Sequence, residues 1–259
     1  MQARRRGDPP APATEMQVGA KGDMDHQMII ARRFCGPSDS GNGGYVCGMV
    51  DGLLSGETEV TLRRPPPLET PLGVEIIDSQ RIRLVDGSGV VAEGRCDNVE
   101  FTVPFRPSLE QARLAAERYA GFKQHDYPNC FVCGPARTPG DGLRIFAGPL
   151  PEGEGVAAPW VPDPSLADTD GRVRSEFVWA ALDCPGYFAV DANCRRHMLL
   201  GRMAASVERR PRAAEQCVVA AWRVGSEGRK HFASSVLLSE SGHVMARARA
   251  TWIEIKAPA

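Results

Sequence analysis

The segment GGYVCGMVD, residues 43–51, decides the fold. The glycine pair Gly43 and Gly44 opens it, a run of mostly apolar residues follows, and Asp51 carries the charge at its end. A second segment, SEFVWAALD at residues 175–183, repeats this arrangement with Asp183 in the place of Asp51. A helix that is apolar nearly all round is buried, and a charge within it needs a partner or a function. The sequence therefore predicts two buried helices, each carrying one carboxylate.

Both predicted helices are followed by segments typical of antiparallel strands. In the first half these are residues 59–65, 72–85, 90–96 and 99–103, with a hairpin turn at residues 86–89. In the second half they are residues 206–211, 217–224, 231–238 and 244–255. Arg-Arg-Pro follows the helix in both halves, which indicates a tandem duplication. The predicted fold class is α+β, with two antiparallel sheets that each wrap around one central helix.

The same patterns divide the chain of 259 residues into four parts. We expect a disordered tail at residues 1–24, because that stretch has almost no apolar side chains to bury. A first domain then covers residues 25–104, a linker helix 105–127, and a second domain 128–259. Ser108 and Gln111 have the spacing of a capping box for a helix reaching about Gly121. The sequence Cys184-Pro185-Gly186 predicts a break or kink just after Asp183.

The amino-acid composition limits the kinds of molecule that we expect this protein to bind. A net charge of -1 does not favour nucleic acid or a membrane surface. There is no apolar run of the roughly 18 residues that a membrane span needs, and no secretory signal, so we expect a soluble cytoplasmic protein. The eight cysteines do not indicate a disulfide framework, and reduced thiols are expected. The small number of lysines among 31 basic residues favours a bacterial origin.

Two motifs resemble those of a known family. Gly43 and Gly44 with Asp51 resemble the helix motif of the phenylacetic-acid-type thioesterases, in which His-Gly-Gly leads the helix; Asn42 stands where that histidine would be. The stretch NCFVCG at residues 129–134, followed by GLRI at 142–145, resembles the Cys-Phe-x-Cys-Gly opening of bacterial members of that group. The whole pattern is similar to the double hot dog acyl-CoA thioesterases. That resemblance implies side-by-side antiparallel helices and an essential aspartate in the second helix, which points to Asp183.

The resemblance suggests a composite site in which one helix start faces the aspartate of the other helix. The first-turn amides at Gly43 and Gly44, beside Asn42, would form an oxyanion hole. Asp183 would act as a general base on water or attack the thioester directly. Asp51 is also a catalytic candidate, but Glu176 near its facing helix start would oppose an oxyanion, so a structural hydrogen bond is the alternative for Asp51.

Other charged and sulfur-containing residues have weaker signals. Arg229 and Lys230 are candidates for binding the coenzyme A phosphates, as are the Arg-Arg pairs at residues 63–64 and 209–210. Cys130-x-x-Cys133 with Cys194-x-x-His197 has zinc-ligand spacing. The competing interpretation, which we favour, places the first cysteine pair in the opening motif and the second pair in an unrelated loop. We therefore expect no metal and no cofactor, with coenzyme A entering only as part of the substrate.

The function predicted from these features is hydrolysis of a small-molecule acyl thioester to a free acid and coenzyme A. The alternative is a non-catalytic hot dog protein that binds an acyl thioester or a partner protein. A hydratase is disfavoured, because neither helix segment contains a histidine. A homodimer is possible for a chain of this kind.

Overall fold

The computed structural model describes residues 27–153 and 155–256. The predicted disordered tail, residues 1–24, lies outside the described residues. Three α-helices are present within them: α1 at Gly43–Asp51, α2 at Leu109–Ala116 and α3 at Ser175–Val190. Helices α1 and α3 are the two predicted apolar helices, and most of their residues are buried.

The described strands form one antiparallel sheet in the order β1-β3-β4-β5-β2-β8-β11-β10-β9-β7-β6. Strands β2 and β8 pair with each other, so the strands that follow α1 and those that follow α3 belong to one continuous sheet. The strand bounds are β1 Gln27–Ile29, β2 Thr58–Leu62, β3 Pro71–Asp78, β4 Arg81–Asp86, β5 Gly89–Cys96, β6 Gly148–Pro149, β7 Val156–Trp160, β8 Met198–Val207, β9 Cys217–Glu227, β10 Lys230–Ser239 and β11 Val244–Glu254.

Helices α1 and α3 pack against each other in antiparallel directions. Gly44, near the start of α1, contacts Asp183 in α3, whereas Gly48, one turn later, contacts Glu176 near the start of α3. A Cβ atom on Gly44 would lie 2.4 Å from Asp183 Cβ, and one on Gly48 would lie 2.5 Å from Glu176 Cα. Real Cβ atoms do not approach other atoms so closely, so both positions require glycine for the helices to meet at this distance.

Helix α2 covers the opposite face of the sheet. Its apolar residues Leu109, Ala112 and Ala115 pack with Val218 and Ala220 of β9. The alternate residues of the same strand, Cys217, Val219 and Ala221, belong to the core around α1 and α3. Because successive strand residues point to opposite faces, β9 is buried on both sides, which accounts for its continuous apolar run.

Several predicted elements differ in the structure. Residues 72–85 form two strands rather than one, because Asp78 accepts a hydrogen bond from the Gln80 amide and closes a tight turn before β4. Residues 99–103 form no strand. The capping box at Ser108 and Gln111 is confirmed, but α2 ends at Ala116, and a 3₁₀ turn at Ala120–Phe122 follows.

The predicted break at Pro185 does not occur, since α3 continues through it to Val190, while the alternative of a kink there stays a prediction. A proline inside a helix removes one backbone hydrogen bond and costs roughly 3 kcal/mol. Helix α3 is buried against the sheet on both sides of Pro185, and Ser235 Oγ of β10 donates a 2.7 Å hydrogen bond to the Leu182 carbonyl beside the gap. Tertiary packing therefore outweighs the local preference.

Among the described residues, no helix is both long enough and apolar enough to cross a membrane.

Candidate active site

Asn42 forms the N-cap of α1 and connects it to α3. Its side-chain oxygen accepts a 2.9 Å hydrogen bond from the Tyr45 amide, which satisfies one of the free N–H groups of the first turn. Its side-chain nitrogen donates to Asp183 Oδ2 at 3.0 Å. Asn42 is only 3 % exposed, so both bonds lie in the interior. The residue in the place of the histidine thus holds both the helix start and the carboxylate.

Asp183 lies at the first-turn amides of α1, where the sequence analysis expected a catalytic carboxylate to face them. Its Oδ2 atom accepts from the Gly44 amide at 2.9 Å as well as from Asn42. Its Oδ1 atom is buried and accepts a hydrogen bond from none of the described donors. One oxygen is therefore anchored, while the other has no hydrogen bond within the described residues.

The electrostatics of Asp183 reflect this mixed environment. Burial raises its pKa to about 7, the Gly44 amide and Asn42 oppose that rise, and the nearby Cys130 adds to it. The partial positive charge at the start of α1 favours the ionised form. A carboxyl group balanced in this way can both hold and release a proton near neutral pH.

The Gly44 amide has a different role from the one expected of it. Its N–H is already bonded to Asp183, so it is not free to receive an oxyanion in this arrangement. The Gly43 amide, one residue earlier, bonds to none of the described acceptors, and Gly43 lines the cavity beside Asp183. Of the two predicted oxyanion-hole residues, only Gly43 has a free donor.

Asp51 is held by side chains rather than by the backbone amides of α3. Its Oδ2 atom accepts from the Trp179 indole at 3.1 Å and lies 3.4 Å from the Ser175 hydroxyl. Burial raises the pKa of Asp51, and these hydrogen bonds partly offset the rise. Glu176, at the start of α3, pairs with Arg174. This arrangement matches the structural hydrogen bond that was the alternative role for Asp51.

Three thiols converge beside Asp183. The sulfur atoms of Cys130, Cys133 and Cys184 all lie within 4.8 Å of one another. Contacts with the other two thiols lower the pKa of Cys130 well below its ordinary value; burial raises that of Cys133, and contact with Cys130 raises that of Cys184. The disfavoured zinc hypothesis from the sequence grouped Cys130 and Cys133 with Cys194 and His197 instead, and neither interpretation included Cys184.

A cavity of about 300 Å³ opens onto this cluster of polar and thiol groups. Asn42, Gly43 and Asp183 lie at one part of its wall, together with the three clustered cysteines. Most of the remaining wall is apolar, with contributions from Leu62, Phe188, Met198, Leu200 and Trp252. An apolar cavity with a few polar groups at one point is typical of a site for a small apolar molecule with one reactive group.

Of the basic residues predicted to bind the coenzyme A phosphates, one pair lies at the cavity and another does not. Arg229 lies in the turn between β9 and β10, Lys230 begins β10, and neither is among the described residues that line the cavity. Arg63 and Arg64, which were secondary candidates, do line it. They pair with Glu93 and Asp86, respectively, so each guanidinium is already held in place.

Most of the cavity residues on β8 and β11 could not be identified as functional from the sequence. Met198, Leu200 and Trp252 have the alternating pattern of any buried strand, which does not separate a cavity wall from a packed core. Gly48 was quoted only as part of the apolar segment. A stronger signal was its i, i+4 spacing from Gly44, which places both glycines on one helix face.

The fold is similar to that of solved thioesterases. A tesB protein of Mycobacterium avium subsp. paratuberculosis is 14% identical, with a TM-score of 0.59 over 93% of this chain and 96% of that one. The acyl-CoA thioesterase II TesB2 of Mycobacterium marinum is 13% identical, with a TM-score of 0.53 over 88% of this chain and 92% of that one. No protein-family model and no curated protein matches the sequence. The chain therefore has the hot dog fold of TesB-type thioesterases.

Proposed function

We propose that this protein hydrolyses an acyl-CoA thioester to a free acid and coenzyme A. The observation that carries the proposal is Asp183, which lines an apolar cavity with Oδ2 anchored on α1 and Oδ1 without a hydrogen bond within the described residues. The structural similarity to acyl-CoA thioesterases supports it. The apolar wall suits the acyl chain, and the polar end suits the thioester carbonyl.

In the proposed reaction, Asp183 Oδ1 takes a proton from water as the water oxygen attacks the thioester carbonyl carbon. The developing oxyanion accepts a hydrogen bond from the Gly43 amide, where the N-terminus of α1 concentrates positive charge. The carbon–sulfur bond then breaks, and the departing thiolate of coenzyme A takes up the proton held on Asp183 Oδ1, which restores the carboxylate. Asn42 and the Gly44 amide act as positioning groups, since both hold Oδ2.

Direct attack by Asp183 on the carbonyl carbon is the second form of the mechanism and gives a mixed anhydride that water then hydrolyses. Hydrolysis in ¹⁸O-labelled water detects the anhydride form when water attacks at the enzyme's carbonyl, because attack at the acyl carbonyl labels the released acid in both forms. If the water is activated by Asp183, a single turnover places the label only in the released acid. If water attacks the anhydride at the enzyme's carbonyl, the label enters the Asp183 carboxylate.

We further propose that the fold consists of two hot dog units in tandem. In this proposal, residues 25–104 contribute α1 and β1–β5, residues 128–259 contribute α3 and β6–β11, and residues 105–127 connect them. The β2–β8 pairing joins the two sheets edge to edge. Each unit supplies one part of the site, because Asn42, Gly43 and Gly44 belong to the first and Asp183 to the second. The eight free cysteines fit a reducing compartment, and we place the reaction in the cytoplasm.

Arg63 and Arg64 are the proposed contacts for the coenzyme A phosphates. Both belong to the cavity lining, and a guanidinium pairs well with phosphate. This assignment replaces Arg229 and Lys230, the other basic candidates, which do not line the described cavity.

The decisive experiment measures thiol release from a series of acyl-CoA chain lengths by the wild type, Asp183→Asn and Asp51→Asn. We expect Asp183→Asn to reduce kcat by roughly 10²–10⁴-fold, because the base is lost while an amide of the same shape remains. Asp51→Asn is the matched control in the other helix and should keep its turnover. Thermal melting checks that both variants are folded.

The alternative is a non-catalytic protein that binds acyl thioesters, and one observation favours it: the Gly44 amide is occupied by Asp183 itself. Tight binding of acyl-CoA by the wild type without thiol release at any chain length would establish binding and reject hydrolysis. Equal turnover in the wild type and Asp183→Asn would reject the proposed role of Asp183.

A further inference from the structure

The cluster of Cys130, Cys133 and Cys184 has no role in the hydrolysis described above. Buried cysteines usually serve as small apolar residues, and that role accounts for the burial of each of them. That role does not explain why the three sulfur atoms lie together, beside both the Asp183 carboxylate and the cavity. The described part of the chain has no other group of three or more His, Cys, Asp or Glu side chains that could hold a metal ion.

The spacing of the sulfur atoms matches a tetrahedral metal centre. With zinc–sulfur bonds of about 2.3 Å, tetrahedral geometry separates two sulfur ligands by about 3.8 Å. The Sγ atoms of Cys130 and Cys184 lie 3.7 Å apart. This separation is far longer than a disulfide bond of about 2.05 Å. Two of the sulfur atoms thus lie at the separation of zinc ligands, and the third, that of Cys133, lies within 4.8 Å of both.

The loop that carries Cys130 and Cys133 is built as a tight turn around the first sulfur. The Gly134 amide donates to the Cys130 carbonyl at 3.0 Å, and the Cys130 amide donates to the Tyr127 carbonyl at 2.8 Å. A Cβ atom on Gly134 would lie 2.5 Å from the Cys130 and Pro128 carbonyl oxygens, so the turn requires glycine there.

His125 approaches the cluster from outside. Its Nε2 atom lies 3.4 Å from Cys133 Sγ, while its Nδ1 atom faces the Tyr127 amide at 2.9 Å. Because the Tyr127 N–H donates to Nδ1, the neutral ring carries its proton on Nε2 and donates toward the sulfur. His125 is therefore a positioning residue for Cys133 and not a fourth ligand beside the three cysteines.

We infer that Cys130, Cys133 and Cys184 bind one zinc ion, with the fourth position facing the cavity and filled by water. Three thiolates select a soft, tetrahedral divalent metal, and zinc fits this donor set. The ion would tie the loop at residues 129–134 to α3 one residue after Asp183. No metal was predicted from the sequence, because the favoured interpretation placed Cys130 and Cys133 in the opening motif and the pair Cys194 and His197 in an unrelated loop. His197 instead pairs with Asp126 at 2.6 Å, and Cys184 supplies the third ligand.

The first test uses the full-length wild-type chain, produced with zinc supplementation and purified under reducing conditions. Elemental analysis after gel filtration should find one zinc per chain. Replacing zinc with Co²⁺ should produce a thiolate-to-cobalt charge-transfer band and the intense visible bands of a tetrahedral site. A wild-type protein that retains no zinc and develops no cobalt bands would overturn the inference. A disulfide between any two of the three cysteines under these conditions would also overturn it.

The second test compares cysteine variants. Cys130→Ser and Cys184→Ser should each lose bound zinc and the cobalt charge-transfer band. Cys217→Ser is the matched control, because Cys217 is equally buried but lies outside the cluster, and it should keep one zinc per chain. Equal loss in the control would overturn the assignment. The cobalt titration of the wild type remains decisive if a cluster variant fails to fold.

The third test addresses His125. We expect His125→Phe to weaken zinc binding by about 10–100-fold, as removal of an outer hydrogen-bond partner does. The cobalt bands should keep their shape, because the ligands are unchanged. A shift of the visible bands in this variant would overturn the positioning role by showing that His125 is a ligand. None of these measurements depends on thioester hydrolysis, so they stand apart from the proposed function.

Discussion

The two oxygen atoms of the Asp183 carboxylate have different environments. Oδ2 accepts from the Asn42 side chain and the Gly44 amide, whereas Oδ1 has no partner among the described residues. Hydrogen bonds to a buried charged group contribute about 1.5–3 kcal/mol each. The two donors therefore fix the orientation of the carboxylate. That orientation determines the position of Oδ1.

Asn42→Ala tests how much of this support comes from one side chain. The variant loses the cap of α1, worth about 0.5–2 kcal/mol, and the bond to Asp183, worth about 1.5–3 kcal/mol. We expect the free energy of unfolding in urea to fall by about 2–5 kcal/mol. Ser108→Ala is the matched control, because Ser108 caps α2 on the far face of the sheet and contacts no catalytic candidate. A loss no larger than that of the control would show that Asn42 does not stabilise Asp183.

At the scale of elements, the contact between α1 and α3 creates the site. Gly44 and Gly48 lie one turn apart on the face of α1 that meets α3, and neither position has room for a Cβ atom. The close approach places the start of α1 within hydrogen-bonding distance of Asp183. The glycines that looked like oxyanion-hole residues in the sequence therefore have a second role, which is to bring the helices together.

Gly48→Ala should destabilise the protein by about 1–3 kcal/mol, because its Cβ atom would lie 2.5 Å from the Glu176 backbone and force the helices apart. Gly52→Ala is the matched control at the end of the same helix. Its φ of -60° suits alanine, and the nearest atom lies 3.6 Å away, so this variant should gain about 0.4–1 kcal/mol. The opposite signs can be measured by urea unfolding. Destabilisation of the same size at both positions would contradict the packing argument.

For the whole molecule, one hydrophobic core and one sheet connect the two halves of the chain. Val46 and Val50 of α1 belong to the same core cluster as Phe177 and Trp179 of α3. Strand β2 pairs with β8, so the sheet has no break between the halves. Neither half can lose its structure without exposing apolar surface on the other.

Differential scanning calorimetry should therefore show a single unfolding transition, with equal calorimetric and van't Hoff enthalpies. Gly48→Ala should lower the midpoint of this transition without splitting it, since the helix contact belongs to both halves. Two resolved transitions in the wild type would contradict a shared core and indicate independent domains.

The sequence predicted elements well where the information is local. The apolar segments ending at Asp51 and Asp183 are helices α1 and α3, and the capping box at Ser108 is present. Prediction failed where packing competes with local preference. The helix continues through Pro185 because the surrounding core holds it, and residues 72–85 divide at a turn closed by the Asp78 side chain.

By itself, the sequence determined the two apolar helices, their carboxylates and the strands that follow them, because side-chain periodicity and turn residues act over a few neighbouring positions. The family resemblance, and not the residue pattern, implied that Asp183 meets the start of α1, and only the tertiary structure decided which cysteine joins Cys130 and Cys133. Gly44 and Asp183 are 139 positions apart, and Cys130 and Cys184 are 54 apart. Distances of that kind depend on how the helices pack, and on the two glycines that let them approach.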